Sequence, residues 1–383
     1  MTFRALFRVS PLILCGITLC ILGSLPTSYA VLNPADFPKE SEVPDVTHTQ
    51  VQEWLREIDL SGAPPIEANS GDPPDCPSEV PEGVCYWTCE DCSADDVIEC
   101  PDKNVWGITF DDGPTEATPE LLAYLDEKQV KATFFLIGAN VVKAPDMVKR
   151  EAEAGHHLAS HTWSHHALTT LTNEQIVAEI KWTEKAIEDA TGYRVRYMRP
   201  PYGDVDNRVR YVLKKLGYVV VDWGGDTFDS NDWKIPEMSS SAVVSKFQKS
   251  LQAYTAPGAN NTKGFISLEH DLTTETVAVA KAVIPFGMER KLQLMTVAQC
   301  LKDLTPYANS PVPPTSTVSA QPPPANNNGG NHQEETRGRV DASGLDLNQL
   351  NGAAVLVSPT MGQRSAWWSS LAMGLLMAAL ASF

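Results

Sequence analysis

The chain has 383 residues, 43% of them hydrophobic, and carries 30 Lys and Arg against 48 Asp and Glu, a formal net charge of −18. A chain of this length buries at least one full-sized core, and its composition is not that of a disordered protein. The surplus of carboxylates argues against a nucleic-acid scaffold, which needs clustered cations to neutralise phosphate, and against electrostatic binding to anionic lipid.

At the start of the chain, Arg4 and Arg8 precede an apolar run from Pro11 to Leu25, and Ser28-Tyr29-Ala30 supplies a small-x-small pattern. This order reads as a removed secretory signal peptide over residues 1–30, since the run falls short of the roughly 20 residues that span a bilayer. Residues 31–75 form a Pro-rich, polar leader in which Val51, Trp54, Leu55 and Ile58 recur at helical spacing. That short helix either packs on the main domain or belongs to a leader trimmed later.

Of eight cysteines, Cys15 and Cys20 leave with the signal peptide, and Cys76, Cys85, Cys89, Cys92, Cys100 and Cys300 remain. An even number in an exported chain points to disulfides, and no histidine stands near the Cys-rich segment 76–103 to favour zinc there. Cys300 is expected to pair back to the cluster, closing the folded domain on itself.

From Trp106 to Tyr307, short β-rich runs alternate with amphipathic helices. The runs are Trp106–Phe110, Ala132–Ile137, His157–Ser160, Arg196–Met198, Tyr218–Asp222, Phe265–Leu268 and Leu292–Met295. The spacing predicts helices near 119–128, 146–154, 173–190, 206–216, 240–253 and 274–283. This alternation indicates a parallel α/β fold, barrel or open sheet, over residues 104–307, with chemistry at the C-terminal ends of the strands.

No aromatic residue lies between Ala308 and Ala366, and Ser310 to Asn331 holds Pro, Ser, Thr, Asn and Gly runs. Residues 308–350 therefore read as an extended stalk. Small residues at Asn351-Gly352-Ala353-Ala354 lead through a spacer to the uncharged tail Ser365–Phe383. The expectation for 351–383 is a GPI-attachment signal, itself removed, rather than a transmembrane helix, because no Lys or Arg follows as a cytoplasmic stop. Asn260-Asn261-Thr262 is an N-glycosylation triplet.

The strand ends carry an unusual set of side chains. After the first run comes Thr109-Phe110-Asp111-Asp112-Gly113-Pro114. Adjacent carboxylates on an extended chain point to different sides, so one can bind a cation while the other reaches a reacting water, although Asp-Gly-Pro alone is equally a plain turn. After the third run comes His161-Thr162-Trp163-Ser164-His165, and five of the eight histidines fall between 156 and 166. Two histidines four apart converge on one metal if the segment coils; a buried structural pair is the plainer alternative, and the neighbouring Asp pair tips the balance toward metal. His156, His157 and His166 read as supporting or surface residues. Arg199-Pro200-Pro201-Tyr202-Gly203 follows the fourth run, Asp229-Ser230-Asn231-Asp232-Trp233 the fifth and Leu268-Glu269-His270-Asp271 the sixth. Pro-Pro fixes the backbone so that the Tyr202 N–H can be held toward a developing oxyanion, and His270 is available as a proton donor.

In order, Thr-Phe-Asp-Asp-Gly-Pro, His-Thr-x-x-His, Arg-Pro-Pro-Tyr-Gly, Asp-x-x-Asp-Trp and Leu-x-His resemble the five motifs of the polysaccharide deacetylases of carbohydrate esterase family 4, the NodB-homology enzymes. The resemblance spans Trp106 to Tyr307 and implies a distorted (β/α) barrel, here with a Cys-rich N-terminal extension. With the export, stalk and anchor features it is greatest for fungal GPI-anchored chitin deacetylases. It implies that Asp112, His161 and His165 hold a divalent metal, zinc or else cobalt; that Asp111 is the general base; that the Tyr202 N–H stabilises the oxyanion; and that His270 protonates the departing amine. It also implies that Arg199 holds Asp111, that Asp229 holds Arg199, and that Trp233 and Leu268 form the pocket for the acetyl methyl. The activity implied is hydrolysis of N-acetyl groups in chitin to chitosan and acetate by a monomeric protein tethered outside the cell by lipid. Deacetylation of peptidoglycan or acetylxylan, and wall binding without turnover, are the alternatives.

Overall fold

The structure, a computed structural model, describes residues 32–310 except Asp72 and Pro236. The signal peptide, nearly all of the stalk and the attachment signal lie outside these residues. Among the described residues no helix is long and apolar enough to cross a membrane.

The leader forms α1 (Thr49–Arg56), whose first turn is capped by the His48 imidazole accepting the Gln50 N–H at 3.2 Å. Val51 is fully buried and Trp54 meets Trp182 edge-on with ring centroids 5.2 Å apart, so this helix packs on the main domain. The Cys-rich segment carries α2 (Trp87–Glu90), flanked by the Cys76–Cys89 and Cys85–Cys92 disulfides. Cys300 pairs back to Cys100 across 200 residues, as its position suggested.

The strands are β1 (Val105–Gly107), β2 (Thr109–Asp111), β3 (Thr133–Leu136), β4 (His157–Ser160), β5 (Tyr197–Met198), β6 (Val219–Val220), β7 (Phe265–Ile266) and β8 (Gln293–Met295). They form two parallel sheets ordered β2-β3-β4-β5-β6 and β7-β1-β8. The single run expected over Trp106–Phe110 is thus two strands, because the chain changes neighbours at Ile108. Its N–H goes to the Met295 carbonyl at 3.1 Å while its own carbonyl accepts from Thr133 at 3.0 Å. At the other edge the Gly224 N–H reaches the Ile266 carbonyl at 3.0 Å, and parallel bridges join Asp229 to Leu268 and Asp111 to His270. The circuit closes as a distorted barrel in which irregular backbone stands in for a strand between β6 and β7.

Side-chain alternation along the strands sorts the core into two layers. Phe135, Ala159, Tyr197, Val221 and Ile266 cluster with the Cys100–Cys300 pair in the barrel interior. Their neighbours Phe134, Leu158, Met198 and Phe265 belong to the larger cluster beneath the helices.

Those helices are α3 (Thr118–Glu127), α4 (Gly138–Lys143), α5 (Pro145–Glu153), α6 (Asn173–Thr191), α7 (Asn207–Lys215), α8 (Gly225–Phe228), α9 (Ser240–Tyr254), α10 (Thr274–Glu289) and α11 (Val297–Cys300). The longest, α6, starts at a Thr172–Gln175 capping box and stops at Gly192, whose φ of 80° is the left-handed conformation glycine adopts freely. Helix α10 runs past its expected end at 283 although Pro285 lies inside it. A proline at 285 deprives the Lys281 carbonyl of its helical N–H, and the Tyr124 hydroxyl replaces it at 3.1 Å. Helix α4 has no strong sequence signal; packing imposes it, since a Cβ on Gly138 would stand 2.6 Å from the Trp163 ring and 2.7 Å from the Thr183 hydroxyl.

Candidate active site

The site lies where the chain leaves β2, β4, β5 and β7. Asp111 ends β2, and Asp112 turns at a φ of 76°, so the two carboxylates part company. Asp111 Oδ1 accepts from Arg199 Nη1 at 2.8 Å with both side chains buried. Asp112 Oδ1 instead faces His161 Nε2 at 3.3 Å and His165 Nε2 at 3.2 Å. That oxygen is buried without a hydrogen-bond partner of its own, which suits an atom that serves as a cation ligand. Burial alone would raise the Asp112 pKa, but the two imidazoles hold it well below the usual carboxylate range.

His161 follows β4, and its Nδ1 lies 2.7 Å from the Arg199 carbonyl. A carbonyl only accepts, so Nδ1 carries the proton of that bond and Nε2 is the atom presented to Asp112. The segment then coils through Thr162, φ 67°, to His165, φ 62°. The Asp112, His161 and His165 donor atoms all lie within 4.8 Å of one another. One carboxylate and two imidazoles at this separation fit a divalent cation.

Arg199 is fully buried. Its five N–H groups serve Asp111, the Thr109 hydroxyl and the carbonyls of Val221, Asp222 and Ser267. Asp229 therefore does not hold Arg199, contrary to expectation. Its Oδ1 accepts the Asn231 N–H at 2.7 Å and its Oδ2 faces the Trp233 indole nitrogen at 3.4 Å, so it is spent on its own turn.

The carboxylate that sequence reasoning passed over is Asp232. Its Oδ1 meets His270 Nδ1 at 2.6 Å and its Oδ2 accepts the His270 backbone N–H at 2.8 Å. Burial pushes the His270 pKa down, but the Asp232 ion pair prevails and raises it to about 10. The signal was present in the quoted Asp-x-x-Asp-Trp, where only its first aspartate received a role.

Pro200 and Pro201 deliver Tyr202 at a φ of 61°, its ring 4.9 Å from that of His165 between centroids. The turn closes at Gly203, φ 66°, where a Cβ would stand 2.5 Å from the Trp87 ring, so α2 packs directly beneath it. Trp233 is 37% exposed and Leu268 is 7% exposed. The Asp229–Leu268 bridge brings the 229–233 turn alongside Leu268. His157 is buried in β4, and His156 packs edge-on against Phe134, which leaves both in the core.

Residues 98–221 match the family model described as polysaccharide deacetylase. The chain is 41% identical over 300 residues to a Cryptococcus neoformans var. grubii protein named chitin deacetylase 1, an alignment covering 75% of this chain and 63% of that one. This chain thus spans less than two thirds of that relative's length. It is 36% identical to the Saccharomyces cerevisiae protein named chitin deacetylase 1, covering 60% of this chain and 71% of that one. The structure of the chitin deacetylase from Colletotrichum lindemuthianum superposes with a TM-score of 0.51 at 27% identity, covering 55% of this chain and 94% of that one. With the Saccharomyces cerevisiae relative 36% identical and matched over 71% of its length, and with parallel α/β architecture in common, the chain belongs to the polysaccharide deacetylase family.

Proposed function

We propose that this protein is a metal-dependent chitin deacetylase that removes N-acetyl groups from N-acetylglucosamine units, releasing acetate and leaving chitosan. The observation that carries this reading is the division of labour among neighbouring side chains: Asp112, His161 and His165 with donor atoms within 4.8 Å of one another, a buried carboxylate clamped by Arg199, and a histidine ion-paired to Asp232. Amide hydrolysis needs those three functions together, whereas binding alone needs none of them. The printed names of the relatives support chitin as the substrate.

In this reading Asp112, His161 and His165 hold the metal, zinc in preference to cobalt. When bound, such an ion lowers the pKa of water to about 7 and polarises a carbonyl oxygen. Asp111 takes the proton of the attacking water, and Arg199 fixes the direction of its carboxylate. The Tyr202 N–H donates to the oxyanion that forms on the acetamide. His270 then gives its proton to the departing amine, which leaves poorly as an anion. Trp233 and Leu268 wall the space for the acetyl methyl, and Asp229 braces Trp233.

The chain is organised as a signal peptide (1–30), a leader (31–75), a Cys-rich brace (76–103), a catalytic domain (104–307), a stalk (308–350) and a removed GPI-attachment signal (351–383). It works as a monomer tethered outside the cell, and the exposed Asn260 carries a glycan. The six disulfide-bonded cysteines suit an oxidising compartment.

The test is acetate release by purified, zinc-loaded protein from N-acetylglucosamine oligomers of several lengths. Turnover of acetylxylan with none of any oligomer would overturn the assignment of substrate.

A further inference from the structure

The two imidazoles of the candidate metal site are separated by Thr162-Trp163-Ser164, and this short segment is gripped by residues that no motif includes. Trp163 is 1% exposed. Its ring stacks on Phe37 with centroids 5.9 Å apart and planes 4° apart, and its indole N–H donates to the Lys39 carbonyl at 3.1 Å. The strap holding Phe37 and Lys39 is itself pinned, by Glu40 to Lys143 of α4 at 2.6 Å and by Phe37 edge-on to Trp182. Beneath Trp163, Gly138 leaves no room for a side chain.

From the other side comes Glu179 of α6, fully buried. Its Oε2 accepts the N–H of Trp163 at 2.7 Å and of Ser164 at 2.9 Å, and its Oε1 accepts the Ser164 hydroxyl at 2.5 Å. Among the described residues, all the hydrogen bonds of this buried carboxylate go to the segment between the histidines.

The segment needs such a grip. Thr162 and His165 both occupy the left-handed backbone region, at φ 67° and 62°. This conformation is unfavourable for side chains other than glycine, most of all for a β-branched one, and persists only where surrounding structure over-determines it. Without it, His165 does not return to face Asp112.

We infer that Glu179 and the Phe37–Lys39 strap are positioning elements of the metal site, which set His161 and His165 in ligand geometry before an ion arrives. The inference rests on reading Asp112, His161 and His165 as metal ligands. Phe37 and Lys39 lie outside the 98–221 family match, so a segment of the leader becomes a working part of the enzyme rather than a dispensable prelude to it.

The experiment uses the full chain stripped of metal. Zinc affinity is measured by competition with a chromophoric chelator, and the visible spectrum of the cobalt(II) form reports ligand geometry. Glu179→Ala and Phe37→Ala are compared with wild type, with His161→Ala as the ligand control and Val148→Ala, a core truncation in α5, as the stability control. Glu179→Ala is expected to weaken zinc binding by about tenfold or more and to alter the cobalt spectrum, and Phe37→Ala to do the same to a smaller degree. Glu179→Gln, which keeps an accepting oxygen, is expected to recover most of the loss. Val148→Ala is expected to lower the melting temperature and leave both metal readouts unchanged. Unchanged affinity and spectrum in Glu179→Ala and Phe37→Ala, while His161→Ala loses zinc, would overturn the positioning role alone. If His161→Ala binds zinc as wild type does, the metal-site reading falls and this inference with it. Should Glu179→Ala not fold, Phe37→Ala and Glu179→Gln decide the matter by the same two readouts.

Discussion

His161 and His270 each lie just past a barrel strand and are nearly buried, at 2% and 8% exposure, yet one hydrogen bond sends them to different work. The Nδ1 of His161 meets a neutral carbonyl, that of Arg199, while the Nδ1 of His270 meets the Asp232 carboxylate. A carbonyl fixes the tautomer and turns Nε2 outward as a ligand; a carboxylate stabilises the imidazolium and makes a proton donor. Burial depth is therefore not what distinguishes a ligand histidine from an acid histidine here. The partner atom behind the ring does so.

Breaking the ligand side should have the largest effect. His161→Ala is expected to lose both metal and activity, whereas Asp111→Asn is expected to keep the metal and lose about 10³-fold or more in kcat. Metal analysis beside acetate release tells them apart, and equal metal loss would show that the roles of Asp111 and Asp112 are exchanged.

Next comes the acid side. Asp232→Asn is expected to lower kcat/KM by about 10²-fold and to move the alkaline limb of its pH profile downward, because His270 loses the ion pair that keeps it protonated up to about 10. The same pair has a signature in stability. A pKa raised in the fold stabilises fully below the ordinary value of 6.5, and that contribution disappears as the pH climbs to about 10. The melting temperature of Asp232→Asn should accordingly differ most from wild type at mildly acidic pH, just below 6.5, and converge with it in alkali. An alkaline limb unmoved by the substitution would remove His270 from the role of acid.

The smallest effect is expected from Asp229→Asn. Asp229 touches neither Arg199 nor His270, and asparagine keeps one accepting oxygen for the Asn231 N–H, so the substitution loses only the contact with the Trp233 indole and costs about 1 kcal/mol. A loss as large as that of Asp232→Asn would show that the two aspartates share the proton side.

Much of this architecture was legible because the strand runs are strongly apolar and the catalytic side chains sit in short contiguous motifs at their ends. What escaped notice depended on tertiary contact. The break at Ile108 exists only because β8 displaces β3 alongside β1. The continuation of α10 through Pro285 needs a tyrosine hydroxyl from α3. Asp229 and Asp232 look alike in sequence, three positions apart in one motif, and only the direction of each side chain assigns the partner. Glu179 shows no signal at all, since one glutamate on a long amphipathic helix resembles any other until a loop is laid across it.

The Cys100–Cys300 disulfide has a mechanical consequence. A load applied to the chain beyond Ser310 and resisted at the N-terminal side crosses from Cys300 to Cys100 in one covalent step. The 199 residues between them, including every strand among the described residues and every proposed catalytic side chain, are a loop off that covalent path. Pulling can strip residues 301–310, where Val195 bridges Tyr307, yet it cannot draw β8 from β1 while the sulfurs remain joined. For an enzyme proposed to be tethered outside the cell at its C-terminal end, the strands and the catalytic side chains between the two cysteines lie off the covalent path of its own attachment.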